Sequence, residues 1–332
     1  ATMGILDWLA RLFGPRDADG SRGYVESQLD GARGARNGGR ARGDAPRALA
    51  RPELGLDELS RRLGVEAALL TAVPIQYRRL TIPKRGGGQR ILHEPLGDLR
   101  RVQRLILRRL LGRLRAHPAA NAFERGRSIV HNALPHVGRS LVVRLDVRDF
   151  FATTASARVE GYFRRIGWDA QASALLTRLC AHEGGLPQGA PTSPRLANLV
   201  NYGLDVRLAR FAAACGAAYT RYADDMTFSF DRAAGRSSVS IGAILRRVSW
   251  ELRRIGYRLN AGKLRVYGRN SRQMVAGLVV NEQVNLPRRT RRLLRAVQHH
   301  HGTGRPATMT VEQLRGWYAR SEERRVGEEC SS

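Results

Sequence analysis

Two adjacent carboxylates, Asp224 and Asp225, sit inside the segment Tyr219-Thr-Arg-Tyr-Ala-Asp-Asp-Met-Thr-Phe-Ser-Phe230. Like charges side by side raise each other's pKa and weaken a fold unless a cation neutralises them. The flanks alternate with the period of strands: Tyr219, Arg221 and Ala223 before the pair, Met226, Phe228 and Phe230 after it. The pattern predicts a β-hairpin with both acids at its tip, a platform for a divalent cation and phosphoryl transfer. A solvated acidic turn has the same local pattern, so a third carboxylate has to decide. Asp146 ends the apolar, β-branched run Leu141 to Leu145, which reads as a buried strand. Two strands of one sheet that deliver carboxylates at one edge give the oxygen-only ligand set that Mg²⁺ prefers. Two such ions activate a ribose hydroxyl and stabilise a leaving pyrophosphate in an in-line displacement. The other reading of Asp146, a helix cap, suits Asp149 better, because Asp149 directly precedes the Phe150-Phe151 turn.

The elements that would position these acids follow from periodicity. Leu54 to Leu80 predicts a helix followed by a strand. Leu99, Val102, Ile106, Leu110 and Leu114 predict one helix with an arginine-rich outer face. Helices are expected over Ala172 to Cys180, Leu196 to Ala214 and Ile241 to Ile255. Strands are expected over Leu264 to Tyr267 and Val275 to Val280. Two basic helices, Pro287 to His300 and Val311 to Arg320, close the pattern. An antiparallel sheet with helices on one face is the α+β class. Gly31 to Arg47 repeats glycine and arginine with almost no apolar residue, a composition that cannot build a core and suits a nucleic-acid partner.

Lys and Arg number 57 against 29 Asp and Glu in 332 residues, a net charge of +28. A field of that size attracts phosphate backbones and releases their counterions. No apolar run reaches membrane-spanning length, and the short amphipathic stretch from Ile5 to Phe13 lacks the shape of a signal peptide. Cys180, Cys215 and Cys330 have neither metal-ligand spacing nor a disulfide framework, which fits the cytoplasm. His299-His-His301 points its rings in different directions on a helix and has no suitably spaced partner for a metal.

With these motifs in chain order, the sequence resembles the reverse transcriptases from about Arg51 to about Arg295. Ile82-Pro-Lys-Arg-Gly-Gly-Gly-Gln-Arg-Ile-Leu-His-Glu-Pro95 looks like the fingers block that closes over the incoming nucleotide. Leu186-Pro-Gln-Gly-Ala-Pro-Thr-Ser-Pro-Arg-Leu-Ala-Asn198 is similar to the block beneath the nucleotide sugar and template base, and Leu259-Asn-Ala-Gly-Lys263 to the block near the departing pyrophosphate. More narrowly, Asn132-Ala-Leu-Pro-His136 matches the Asn-Ala-x-x-His signature of retron reverse transcriptases. Val275-Ala-Gly277 departs from that subfamily's Val-Thr-Gly by one hydroxyl.

The resemblance implies a right-hand polymerase: a basic extension (1–50), fingers (51–140), palm (141–284), a short helical thumb (285–320) and a tail (321–332). Asp146, Asp224 and Asp225, with the Val147 carbonyl, would hold two Mg²⁺ ions. Only two of the 57 basic residues are lysines, Lys84 and Lys263, and both fall inside the family blocks. Lys84 reads as a triphosphate contact beside Arg90, and Lys263 as a general acid toward pyrophosphate. Arg90 follows Gly86 to Gly88 and Gln89, a hairpin tip able to fold onto a phosphate. Phe151 would pack under the sugar and exclude a 2′-hydroxyl. At Gly189 backbone can approach the nucleotide closely, while the Gln188 amide can bond sugar or base. Asn132 and His136 fit either a buried polar pair or an RNA-contact surface, with the second favoured; Arg288, Arg289 and Arg292 would contact RNA. The activity implied is RNA-directed DNA synthesis of retron type. Its partners would be a cognate noncoding RNA, the DNA product, deoxynucleoside triphosphates and a separate effector protein, in antiphage defence. A group II intron-like or other stand-alone defence reverse transcriptase, or a catalytically idle RNA-binding relative, remains the alternative.

Overall fold

A computed structural model describes residues 53–83, 87–231, 240–303 and 305–317. The Gly/Arg-rich extension, Lys84 and the tail 321–332 lie outside them. In chain order the elements are α1 (Leu56–Leu63), α2 (Ala67–Ala72), β1 (Tyr77–Pro83), β2 (Gln89–Pro95), α3 (Gly97–Leu105), α4 (Ile129–Ala133), β3 (Leu141–Asp146), α5 (Ser156–Arg165), α6 (Ala170–Cys180), α7 (Ser193–Val200), α8 (Tyr202–Ala214), β4 (Ala218–Tyr222), β5 (Asp225–Phe230), α9 (Ile241–Arg253), β6 (Arg265–Gly268), β7 (Met274–Val275), β8 (Leu278–Val279) and α10 (Arg288–Gly302).

Where the elements differ from periodicity, local chemistry gives the reason. The first expected helix is two, because Gly64 turns into the left-handed region at φ 60° and caps α1. The helix expected from Leu99 to Leu114 changes character along its length. It runs as α3, then a π turn over Ile106–Leu110 and a 3₁₀ turn over Leu111–Arg113. The helix expected over Leu196 to Ala214 breaks at Asn201. There the side-chain amide donates to the Ala197 carbonyl and to the Tyr257 hydroxyl, and its oxygen accepts from Arg158. Helix α5, with Gly161 in its middle, was not expected. The strand expected from Val275 to Val280 is the two-stranded β7–β8 ribbon turned by Ala276 and Gly277, both at positive φ.

The acids ride on an antiparallel sheet of order β4-β5-β3-β6. Strand β3 is central and buried on both faces, which is why its sequence is continuously apolar. Leu141, Val143 and Leu145 point into the main core with Met226, Phe228 and Phe230. Val142 points the other way, into a second core with Val297 and Leu294 of α10 and Val130 of α4. The period of two therefore places Arg144 and Asp146 on the face of Val142, the face shared with this second core.

That same face holds the Asn132 and His136 pair, and corrects its favoured reading. Asn132 and His136 are buried rather than turned to an RNA surface. Helix α4 ends at Ala133, and Pro135 forces a 3₁₀ turn over Leu134–His136. The His136 ring bonds Ser229 Oγ through Nδ1 and Thr220 Oγ1 through Nε2, both at 2.7 Å, and so bridges β4 and β5. The Asn132 carbonyl accepts from Thr220 Oγ1, and its side chain accepts from Asn121. A histidine on a strand face needs polar partners rather than apolar surface, and two strand hydroxyls supply them.

Burial, with Arg139 adding to it, pushes the His136 imidazole down to about 3 from its ordinary 6.5. The unfolded chain binds this proton below about pH 6.5 and the folded chain does not, so stability is full above that pH and falls as pH drops toward 3. Between pH 7 and pH 5 this group alone should remove about 2 kcal/mol. Urea denaturation at both pH values should show the loss, and His136→Gln should flatten it by that amount.

Candidate active site

Tyr222 pairs with Asp225 in register, so Ala223 and Asp224 form the two-residue turn of the β4–β5 hairpin. Ala223 has φ 58°, a value that two-residue hairpins usually give to glycine at their first turn position. Asp146 lies directly opposite Asp225 across the β3–β5 ladder. The Val147 N–H then donates to the Asp224 carbonyl at 3.0 Å, fastening the end of β3 to the turn. The three acids predicted from sequence are thus brought together at one point of the sheet.

Their electrostatics follow from that convergence. Burial, then the charges of Asp146 and Asp225, push Asp224 up to about 7. Burial also raises Asp225, although Arg144 opposes it with an ion pair of 2.8 Å. Lys263, at the end of a 3₁₀ turn over Ala261–Lys263, sets its Nζ 2.8 Å from Asp146 Oδ2. Burial works against the Lys263 charge, but the hydrogen bond and charge of Asp146, with Asp224 and Asp225 adding, raise its pKa overall.

The hairpin is held from beneath by a group that sequence reading passed over. Arg221 is fully buried in phase with Tyr219, on the core face. Its guanidinium forks onto Asp205 of α8, Nε to Oδ1 at 2.8 Å and Nη2 to Oδ2 at 2.6 Å. Its Nη1 donates to the Ala223 carbonyl at 3.0 Å and to Asn198 Oδ1 at 3.1 Å. The Tyr219 hydroxyl donates to the same Asp205. Five donors in a planar fork suit this task, and lysine could not repeat it. The available signal was an arginine at a core-phase position of an apolar strand, which demands a buried acid. Arg144 was missed in the same way.

The nucleotide-site candidates lie on other segments, joined to one another in part. Phe151 is half-buried, edge-on to Phe150 with centroids 5.4 Å apart, and its carbonyl accepts from Leu186 N at 3.1 Å. That bond ties the sugar-packing candidate to the loop of Gln188 and Gly189. Gly189 has φ 118°, and a Cβ there would lie 3.1 Å from the His93 carbonyl. The backbone it admits is therefore that of β2, whose His93 N–H donates to the Gln188 carbonyl at 2.8 Å. Arg90 stands on β2 opposite Ile82, near the hairpin tip. Arg288, Arg289 and Arg292 are exposed on the first turns of α10, while Leu294 and Val297 are buried. The rings of His300 and His301 engage the carbonyls of Pro306 and Met309.

Removing one member of the buried pair leaves the other charge without a partner. Arg221→Ala should lower unfolding free energy by about 3–5 kcal/mol in chemical denaturation. The double change Arg221→Met with Asp205→Leu should lose less than the single one.

Comparison with known proteins agrees with this geometry. The reverse transcriptase (RNA-dependent DNA polymerase) family matches residues 82–280. The retron Ec86 reverse transcriptase of Escherichia coli is 33% identical over 264 residues, 77% of this chain and 79% of that one. The retron Mx162 reverse transcriptase of Myxococcus xanthus is 36% identical over 274 residues, 73% of this chain and 56% of that one. The retron Mx65 reverse transcriptase of the same organism is 37% identical over 269 residues, 73% of this chain and 62% of that one. The chain thus spans less than two thirds of either Myxococcus relative. It belongs to the reverse transcriptase family of RNA-directed DNA polymerases, and within that family to the retron type.

Proposed function

We propose that this chain copies a cognate structured noncoding RNA into a short single-stranded DNA, primed from a 2′-hydroxyl of a guanosine in that RNA. The observation that carries the reading is the meeting of Asp146, Asp224 and Asp225 at the junction of β3 with the β4–β5 turn. Kinship with retron reverse transcriptases supports the RNA template and a place in antiphage defence beside a separate effector protein. The fingers (51–140), palm (141–284) and thumb (285–320) follow the same kinship. The free thiols Cys180 and Cys215 suit a cytoplasmic setting.

The acids fit a pair of magnesium ions: hard oxygen donors, with the charge on Asp224 disfavoured by burial and by its two neighbours, so that a cation there relieves all three. Asp146, Asp224, Asp225 and the Val147 carbonyl would hold them. When bound, such ions activate the attacking hydroxyl and stabilise charge on the pyrophosphate. The chain's own residues do the rest. The hydroxyl oxygen bonds to the α-phosphorus as the bond to pyrophosphate breaks, and the leaving group needs a proton. The raised pKa of Lys263 keeps it in the ammonium form that can donate one. Arg90 and Lys84 would neutralise the triphosphate. Gln188 would orient the sugar and base over Gly189, and the Phe151 ring would occupy the space of a 2′-hydroxyl. Arg288, Arg289 and Arg292, exposed on α10, would bind RNA phosphates, with affinity falling as salt rises.

Primer extension on an RNA template should fall by about 10²–10³ or more in Asp224→Asn and in Asp225→Asn, with folding retained. Survival of synthesis in both variants would overturn the assignment. Phe151→Ala should raise ribonucleotide incorporation relative to deoxynucleotide, measured as the ratio of kcat/KM values. Equal use of both sugars by the unaltered enzyme would remove Phe151 from that role. Nucleic acid co-purified from cells should be a branched RNA–DNA molecule; linear products alone would favour a group II intron-like or other stand-alone enzyme.

A further inference from the structure

Away from the palm carboxylates, the described residues bring together a second set of ligand-type side chains. His93 of β2, His182 and Glu183 each offer one ligand atom, all within 4.8 Å of one another. The Glu183 carboxylate faces both rings, Oε2 at 3.8 Å from His93 Nε2 and Oε1 at 3.7 Å from His182 Nε2. These spans exceed the roughly 2.7–3.2 Å of a direct hydrogen bond. Two donors on one tetrahedral zinc ion, each at about 2.1 Å, stand about 3.4 Å apart. The two gaps leave room for an ion between the carboxylate and each ring. The Glu183 side chain is 70% exposed and free to shorten its own two gaps, and the ligand atoms of the two rings lie within 4.8 Å of each other.

The backbone presents these groups in a fixed way. His182 and Gly185 exchange backbone hydrogen bonds of 2.9 and 3.1 Å, so Glu183 and Gly184 form a two-residue turn. Both have positive φ, 50° and 79°, as the tight hairpin turn of that type requires. Gly185 is packed so closely that a Cβ would meet the Ala152 carbonyl at 2.0 Å. The His182 ring stacks on Tyr77 at 4.3 Å and meets His93 edge-on at 5.0 Å.

We propose that His93, His182 and Glu183 bind a zinc-type transition-metal ion, with water as its fourth ligand. Two imidazoles and one carboxylate select a softer ion than the oxygen-only palm set does. The ion would clasp β2 to the turn that leads into Gln188 and Gly189. It would reinforce the His93–Gln188 backbone bond at the entrance of the nucleotide loop without taking part in phosphoryl transfer.

Zinc chloride added to the full chain after chelator treatment tests this directly, without any assay of DNA synthesis. Thermal unfolding should rise by about 5 °C when zinc exceeds its Kd about a hundredfold. Cobalt in its place should give the intense visible absorption of a tetrahedral site. Both signals should vanish in His182→Gln and in Glu183→Gln; the second changes an exposed side chain and leaves the Tyr77 stack intact. Both should persist in the double variant Asp224→Asn with Asp225→Asn, and in His299→Gln with His300→Gln. No rise and no cobalt band would overturn the proposal. So would signals that survive the loss of His182 and Glu183, or that disappear with the palm acids or the α10 histidines.

Discussion

Holding three carboxylates in one another's field is the constraint around which this fold is arranged. Left to themselves Asp146, Asp224 and Asp225 would push the β4–β5 turn away from β3, and the burial that shapes a site makes their repulsion stronger. The opposing restraint comes from both faces of the hairpin. On the core face Arg221 joins Asp205, Asn198 and the Ala223 carbonyl, so one guanidinium reaches from α8 to the strained residue of the turn. On the other face His136 bonds a hydroxyl from each strand. The hairpin cannot twist to separate its acids without breaking one set of buried polar bonds. Each such break leaves a donor or acceptor unsatisfied.

The kinds of cation chosen around the acids follow the same logic. Arg144 and Arg221 have fixed carboxylate partners, and a permanently charged planar fork suits fixed partners. Lys263 is the one lysine among the described residues, and it faces Asp146 from the 3₁₀ turn while its side chain stays 58% exposed. A compact ammonium on a flexible stem can leave one anion for another, which a buried guanidinium cannot.

The sequence was most legible where chemistry and period coincided. The alternation through Tyr219 to Phe230 and the apolar run ending at Asp146 placed the acids on two strands, and those strands are neighbours in the sheet. It was least legible where a polar side chain overrode periodicity. Asn201 breaks a helix because its amide prefers three specific partners, of which Tyr257 and Arg158 are distant in the chain. His136 was misjudged because burying a histidine was taken to need apolar surface, whereas the hydroxyls of Thr220 and Ser229 were what mattered. Both were visible as alternate-phase hydroxyls, but nothing local says that a segment some ninety residues upstream will dock on them. Arg221 hid in plain view for the opposite reason: it kept the strand period while contradicting the strand's apolarity.

Gly189 has a structural task besides the role expected of it. A Cβ there would crowd the His93 carbonyl, so the glycine lets β2 of the β1–β2 hairpin sit against this loop. With the His93 N–H on Gln188 and the Leu96 N–H on the Gln76 carbonyl at 3.0 Å, the root of the β1–β2 hairpin is bonded in place. Toward the tip, Gly87 and Gly88 have positive φ and open space around each would-be Cβ. Arg90 stands on β2 between that bonded root and these two glycines. The loop of Gln188 and Gly189 and the root of the β1–β2 hairpin share the His93–Gln188 bond, so displacing either displaces the other.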